Sequence, residues 1–212
     1  MSGRVVFTWR AALLAAGASL LFTFVVYLAA RQWGTYWLDR RITEAIAWRA
    51  GEHGLTSAEN MHDVRTLYDL LPYSMAVLIL LASVIWRRQT ALAGLMLAML
   101  LGANLSTWVL QHRVGETKLV KLLNEPSWAT FWPSGHTTAA VAIGAAAIMV
   151  STPRWRPFVV AVAVLVTALG VMTNLMLRVH VPTDVLGGLG VAATWIFLAL
   201  AAQLRWPQLQ PR

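Results

Sequence analysis

Six stretches of this chain hold no Lys, Arg, Asp or Glu: residues 11–30, 70–86, 90–110, 134–150, 157–177 and 185–204. Nothing else in the sequence restricts the fold so severely. Hydrocarbon offers the backbone no hydrogen-bond partners, so an apolar run of this kind crosses a bilayer as a helix that satisfies itself. About 20 apolar residues span the hydrocarbon core. Four of the runs reach that length, and the two at 70–86 and 134–150 stop at 17 residues. Composition agrees, with 58% hydrophobic residues, 12% charged residues and a mean hydropathy of +0.61, which is far from a soluble domain. The expectation is an all-α, polytopic membrane protein with one domain over residues 1–212 and six transmembrane helices at these positions. No cysteine is present, which excludes disulfides and thiolate chemistry.

The charges give the runs a direction. A cytoplasmic N-terminus leaves Arg4, Arg10, Arg87, Arg88, Arg154, Arg156, Arg205 and Arg212 on the inner side without a single acid. All nine acids then lie outside with nine bases, so the whole +8 excess is inside, as the positive-inside rule demands. Both termini are expected in the cytoplasm. A nucleic-acid site needs its bases on one continuous face, and these are divided among short turns, so membrane lipids are the expected partners and nucleic acid is not. Oligomeric state is not written in the sequence. Arg outnumbers Lys fifteen to two, a bias of GC-rich bacterial genomes, which suggests a bacterial inner membrane. Trp9, Trp86, Trp155 and Trp206 flank the inner side and Trp33, Trp37, Trp128 and Trp132 the outer side, the places of an aromatic belt. The first run is longer than the core of a signal peptide and reads as a membrane helix.

The outer loop 31–69 is polar, with Ile42, Ile46 and Ala50, then Val64, Leu67 and Leu71, at helical spacing. Gly51 and Gly54 divide it. Two short amphipathic helices lying on the outer surface are expected. His53, His62 and Asp63 fit no strong ligand spacing, so no metal is expected there. In the third run Asn104, Ser106 and Thr107 either line a path for a polar head group or bond across helices.

The fourth run begins at Trp132-Pro133-Ser134-Gly135-His136. Pro133 bars helix upstream and Ser134 is a natural N-cap, so the turn ends in a helix N-terminus of the kind that attracts phosphate. The derived topology puts it on the same side as Lys118 and as the loop Arg178-Val179-His180-Val181-Pro182-Thr183-Asp184. Two histidines and an aspartate suit phosphoryl transfer. His180 can attack phosphorus as a neutral imidazole, Asp184 can accept its other N–H, and His136 can protonate the leaving oxygen. Ser134, the Gly135 N–H and Lys118 can bind the phosphoryl oxygens. Asp184 also suits a simple capping role for the last helix. The scheme uses no metal and no cofactor.

These residues resemble the active-site pattern of the type-2 phosphatidic acid phosphatase family, which is shared with vanadium haloperoxidases and bacterial non-specific acid phosphatases. The second family motif, Pro-Ser-Gly-His, stands intact at residues 133–136, and the end of the third at His180 and Asp184, followed by Val185-Leu186-Gly187-Gly188. The first motif maps to Lys118 through Glu125-Pro126. The resemblance implies His180 as nucleophile, Asp184 as its orienting partner, His136 as general acid, and Lys118, Ser134 and Gly135 as phosphate ligands.

Two positions depart from the family. Its first-motif Arg is Glu125, and its third-motif Ser-Arg is Thr173-Asn174. Loss of a bidentate Arg weakens phosphate binding, and a carboxylate in its place repels the substrate unless it is paired. Arg178, one helical turn beyond Asn174, is the candidate replacement; Arg113 and Lys121 are candidates to neutralise Glu125. Asn174 and Arg178 therefore join the expected substrate-binding set. The leading reading is a metal-independent membrane phosphatase acting on a lipid phosphate or diphosphate at the outer face. Polyprenyl diphosphate, phosphatidate and phosphatidylglycerol phosphate are the substrate types. The alternatives are a lipid phosphotransferase with an alcohol acceptor, and a non-catalytic protein that binds or transports lipid phosphate.

Overall fold

The computed structural model describes residues 7–31, 35–52, 70–114 and 132–209. All regular structure among them is helical: α1 (Trp9–Arg31), α2 (Tyr36–Glu52), α3 (Leu70–Trp86), α4 (Thr90–Val114), α5 (Gly135–Val150), α6 (Arg156–Met176) and α7 (Pro182–Arg205), with a closing 3₁₀ turn at Pro207–Leu209. Each apolar run has become one helix. Four of them, α1, α4, α6 and α7, are long and apolar enough to cross a membrane, and α3 and α5 are shorter apolar helices. Six full spans are therefore not established. At 1.5 Å per residue the 16 residues of α5 reach about 24 Å, short of a hydrocarbon core of about 30 Å.

The centre is α7, which packs along α1 and also touches α4 and α5. Its glycines permit the closeness. The buried core between the other helices is assembled from Val84, Leu92, Met96, Met99, Leu100, Ala142, Ala146 and Val150, with Trp195 and Ile196 of α7 against it. Outward-facing positions on α1 and α6 remain apolar and exposed, for example Leu20, Leu21, Val164 and Leu165, as a helix in lipid requires.

Four of the arginines expected inside, Arg10, Arg87, Arg156 and Arg205, lie at one end. Arg10 and Arg205 both lie over the Trp9 ring, at 5.3 and 5.8 Å, which joins the start of α1 to the end of α7. Arg87 donates to the Val150 carbonyl at 3.3 Å and Arg156 to that of Ser151 at 3.4 Å, which joins the α3–α4 turn to the α5–α6 turn. The starts of α5 and α7 are at the opposite end.

Within α2 the buried face is Asp39, Thr43 and Ala47, and Ile42 is exposed with Trp37, Leu38 and Trp48. The helix turns small and polar side chains to the protein and bulky apolar ones away from it. The second expected surface helix, with His53, His62 and Asp63, lies outside the described residues. Trp132 is no belt residue: it is 2% exposed, with its ring against Tyr27 at 5.2 Å. The polar residues of α4 bond across helices. Asn104 donates to the Tyr73 hydroxyl at 2.7 Å, Ser106 accepts the Trp195 indole N–H at 3.0 Å, and Thr107 donates to Thr138 at 3.0 Å.

Candidate active site

The Trp132–His136 turn is fastened mainly through its backbone. Ser134 is the N-cap of α5, its Oγ accepting the Thr137 N–H at 3.3 Å and the Thr137 hydroxyl at 3.1 Å. A cap of this kind satisfies one of the orphan donors of the first helical turn. Gln111 of α4 donates to the Pro133 carbonyl at 2.9 Å. The Ser134 N–H donates to the Asp184 carbonyl at 2.9 Å, which ties the turn to the first turn of α7. The Thr138 hydroxyl lies 3.0 Å from the Ser134 carbonyl and 3.2 Å from that of Gly188. This approach needs glycine on α7: a Cβ at Gly188 would stand 2.6 Å from the Ser134 carbonyl oxygen, and one at Gly187 2.5 Å from Trp132 Nε1.

The other half of the site follows from how α6 ends. The Val179 N–H donates to the Asn174 carbonyl and the Arg178 N–H to that of Leu175, at 3.0 and 3.1 Å, with Arg178 at φ 56°. That is a Schellman ending, with Arg178 at the left-handed position where glycine is usual. The His180 N–H also reaches the Asn174 carbonyl, at 3.3 Å. Asn174 is buried, and its main chain sets the start of the histidine loop. Because the helix stops at Met176, Arg178 is not one helical turn along a common face from Asn174. It is an exposed loop residue, and the helical premise for its substitution is corrected.

His180 is 6% exposed and Asp184 fully buried. His180 Nδ1 lies 3.4 Å from Asp184 Oδ2, and the same oxygen accepts the Val181 N–H at 3.3 Å. Asp184 therefore bonds back to the N-cap of α7 and also faces the histidine. Its other oxygen, Oδ1, is buried without a hydrogen-bond partner among the described residues. A proton on Nδ1 directed at the carboxylate leaves the lone pair of His180 on Nε2. The His136 and His180 rings stand 5.9 Å apart, edge to face.

The described part of the site thus unites His136, Ser134 and Gly135 from the start of α5 with His180 and Asp184 from the start of α7 and the loop before it. Lys118, Lys121 and Glu125 lie outside the described residues. Among the described residues no group of three or more His, Cys, Asp or Glu is placed to hold a metal.

One neighbour went unread in the sequence. Asp39 of α2 is 5% exposed and takes two hydrogen bonds from Thr183, from the N–H at 3.0 Å and the hydroxyl at 2.7 Å. Burial pushes its carboxyl above the usual range, the Thr183 bonds oppose that, and the Asp184 charge adds to it. In the sequence Asp39 precedes two arginines, which reads as a solvated face. Its only local signal is the spacing of four that links it to Thr43 and Ala47.

No family model matches the sequence, and no curated protein does. Among solved structures the chain is similar to the crystal structure of the first transmembrane PAP2-type phosphatidylglycerolphosphate phosphatase from Bacillus subtilis. The identity is 21%, the TM-score 0.69, and the match covers 90% of this chain and 96% of that one. The shared fold and the membrane-length helices mark an integral membrane protein. In fold as in its two legible motifs, the chain resembles the type-2 phosphatidic acid phosphatases.

Proposed function

We propose that the protein is a membrane lipid phosphatase that hydrolyses a lipid phosphate or diphosphate through a phospho-histidine intermediate. The observation that carries this reading is the convergence of His136 on a His180 whose Nδ1 faces buried Asp184, at the anion-attracting start of α5. Similarity to a phosphatidylglycerolphosphate phosphatase supports it at the level of fold.

In the first step His180 Nε2 attacks phosphorus and the bond from phosphorus to the lipid oxygen breaks. His136 gives that oxygen its proton. Asp184 stabilises the positive charge that develops on His180. In the second step His136 takes a proton from water, the resulting hydroxide attacks phosphorus, and the P–N bond breaks to release phosphate. Ser134 Oγ has accepted two hydrogen bonds from Thr137, so its own proton is directed elsewhere, and a phosphoryl oxygen is the partner this reading gives it. Lys118, Arg178 and Asn174 complete the proposed substrate-binding set, with the Gly135 N–H. No step is routed through a metal.

The short α5 starts at the site and ends among the inner arginines. On this reading a helix of about 24 Å anchored at the inner surface stops about 6 Å short of the outer boundary of a core of about 30 Å, within reach of a lipid phosphate drawn slightly inward. The termini are cytoplasmic in this arrangement. Phosphatidate, phosphatidylglycerol phosphate and polyprenyl diphosphate types remain the substrate classes.

Replacement of both family arginines, by Glu125 and Asn174, favours one second reading. A phosphodiester substrate carries less charge and needs fewer cations, which fits a transferase that passes its phosphorus group to an alcohol. The test is incubation of the purified protein with phosphatidate, phosphatidylglycerol phosphate and a polyprenyl diphosphate, with and without alcohol acceptors, in EDTA. Released phosphate establishes hydrolysis and a phosphorylated acceptor establishes transfer. An acid-labile, base-stable phosphoprotein that His180→Ala abolishes identifies the intermediate. Equal turnover by wild type and His180→Ala would end the proposal.

A further inference from the structure

The start of α7 bears Asp184, yet its N-cap is Val181, which has no side-chain acceptor, and its first residue is Pro182. The N–H of the next residue, Thr183, needs a partner from elsewhere. It finds one 144 residues away in sequence, where Asp39 Oδ1 accepts it at 3.0 Å while Oδ2 accepts the Thr183 hydroxyl at 2.7 Å. A carboxylate from the outer helix α2 is thus the cap of the helix that holds the His180 partner.

Burying a carboxylate is costly unless its hydrogen bonds are made, and Asp39 stands close enough to Asp184 for the second negative charge to act on it. A cap alone would be served by serine or asparagine at Val181 without that cost. A carboxylate from outside does more, because it fixes α7 in space as well as closing its first turn. The two bonds hold Thr183, and the next residue along is Asp184, the acceptor for His180 Nδ1. The Asp184 carbonyl in turn holds the Ser134 N–H. One contact therefore sits one residue from the histidine partner and two hydrogen bonds from the phosphate turn.

We propose that Asp39 is a positioning residue for phosphoryl transfer, which locks the start of α7 through Thr183 and so sets Asp184 against His180. This rests on the reading of His180 as the nucleophile. Asp39 touches no reacting atom in this role. The lock acts on geometry already built, so its loss lowers the rate of the bound substrate rather than its binding. A displacement on the order of 1 Å costs up to about a hundredfold in rate.

The test uses the full-length protein in detergent micelles with phosphatidate and phosphatidylglycerol phosphate, per mole of monodisperse protein by size exclusion. Asp39→Ala and Thr183→Val are each expected to lower kcat by about 10- to 100-fold with KM within about twofold. Thr183→Ser, which keeps both donors, is expected to restore wild-type kcat. The double variant Asp39→Ala with Thr183→Val is expected to be no slower than Asp39→Ala alone, since Asp39→Ala already removes both hydrogen bonds and Thr183→Val only that of the hydroxyl. Should Asp39→Ala fail to fold, the Thr183→Val and Thr183→Ser pair still decides. Wild-type kcat in Thr183→Val, or losses confined to KM or to the yield of folded protein, would overturn the positioning role. His180→Ala is run beside them: turnover in that variant would overturn the nucleophile assignment, whereas a dead His180→Ala with a fully active Thr183→Val overturns the lock alone.

Discussion

Gly188→Ala measures how tightly the Trp132–His136 turn is pressed onto α7. The added methyl would stand 2.6 Å from the Ser134 carbonyl oxygen, 3.1 Å from Thr137 Cβ and 3.2 Å from the Thr138 hydroxyl. The first of these is backbone, so no side-chain rotation relieves it. Ordinary contact begins near 3.4 Å, so the turn has to withdraw by roughly 0.8 Å along that line. The Ser134 N–H bond to the Asp184 carbonyl is 2.9 Å long, and the same displacement along its axis would take it to roughly 3.7 Å, beyond hydrogen-bond range. Overpacking of this size costs about 1–3 kcal/mol, and a displacement on the order of 1 Å at a reacting centre costs up to about a hundredfold in rate. Phosphate release from phosphatidate in micelles is expected to fall by about 10- to 100-fold with the protein still monodisperse. Gly17 and Gly94, where a Cβ meets nothing within 4 Å, are the controls. Alanine at either is expected to leave activity unchanged and to stabilise by about 0.5–1 kcal/mol through helix propensity. Wild-type turnover in Gly188→Ala would refute the idea that the α5–α7 contact sets the site.

Three other perturbations follow from the same geometry. Ser134→Ala removes the α5 cap and the proposed phosphate donor together; a loss of about 1 kcal/mol in stability is expected with a fall in kcat of at least tenfold, and thermal and kinetic assays on one preparation read both. Arg178 occupies a left-handed position, so Arg178→Gly is expected to be more stable than Arg178→Ala by roughly 1 kcal/mol. If Arg178 replaces a family arginine, both variants lose turnover alike, and unchanged kinetics in both would remove it from the substrate-binding set. Burial raises the Asp39 carboxyl above its ordinary value of 3.8, so the folded state holds that proton more firmly than the unfolded chain. The contribution of Asp39 to stability therefore grows as pH falls from neutral through its folded pKa and levels off below 3.8; denaturation of Asp39→Asn and wild type across that range is expected to differ with this sign.

The helices were legible because hydrocarbon selects on composition alone. The expected run at 70–86 and the observed α3 coincide, and the other five agree within a few residues, for no charge interrupts them. The Ser134 cap and the convergence of His136 with His180 were legible because the motif residues sit at helix starts on one side of the topology. What stayed hidden depends on which way a side chain turns once helices meet. Trp132 reads as an interface residue from its neighbours, yet the gap left by Gly187 draws it inward. Ile42, Ile46 and Ala50 mark a helical spacing, but which face of α2 meets the protein is decided only on packing, where Asp39 and Thr43 are buried and Ile42 is exposed. Arg178 was assigned to a helical face because nothing in Asn-Leu-Met-Leu-Arg announces a stop. The Schellman ending is imposed by the return of the chain to α7, without the glycine that would have signalled it.

The balance of charge around the histidines explains why the missing arginines matter. Two helices begin at the site, and each N-terminus carries roughly half a positive charge. That of α7 is already committed: Asp39 takes the Thr183 N–H and Asp184 takes that of Val181. On the proposed reading the attraction for an incoming phosphate falls to the start of α5, where Ser134 caps the Thr137 N–H and the Gly135 N–H is the proposed anion donor. A helix terminus in a partly buried setting contributes up to about 2 kcal/mol, and a charged hydrogen bond of the kind an arginine makes about 1.5–3 kcal/mol. One terminus does not replace two bidentate arginines. On the proposed phosphatase reading, Arg178 and Lys118 supply the remainder or the substrate brings less charge, and these alternatives separate on one substitution. Asn174→Arg installs the arginine of the pattern that the chain resembles. If the enzyme is short of cations for a dianionic monoester, it is expected to lower KM for phosphatidate. If the site is built for a less charged substrate, the new arginine leaves KM for phosphatidate unimproved, and the argument from missing charge fails for that lipid.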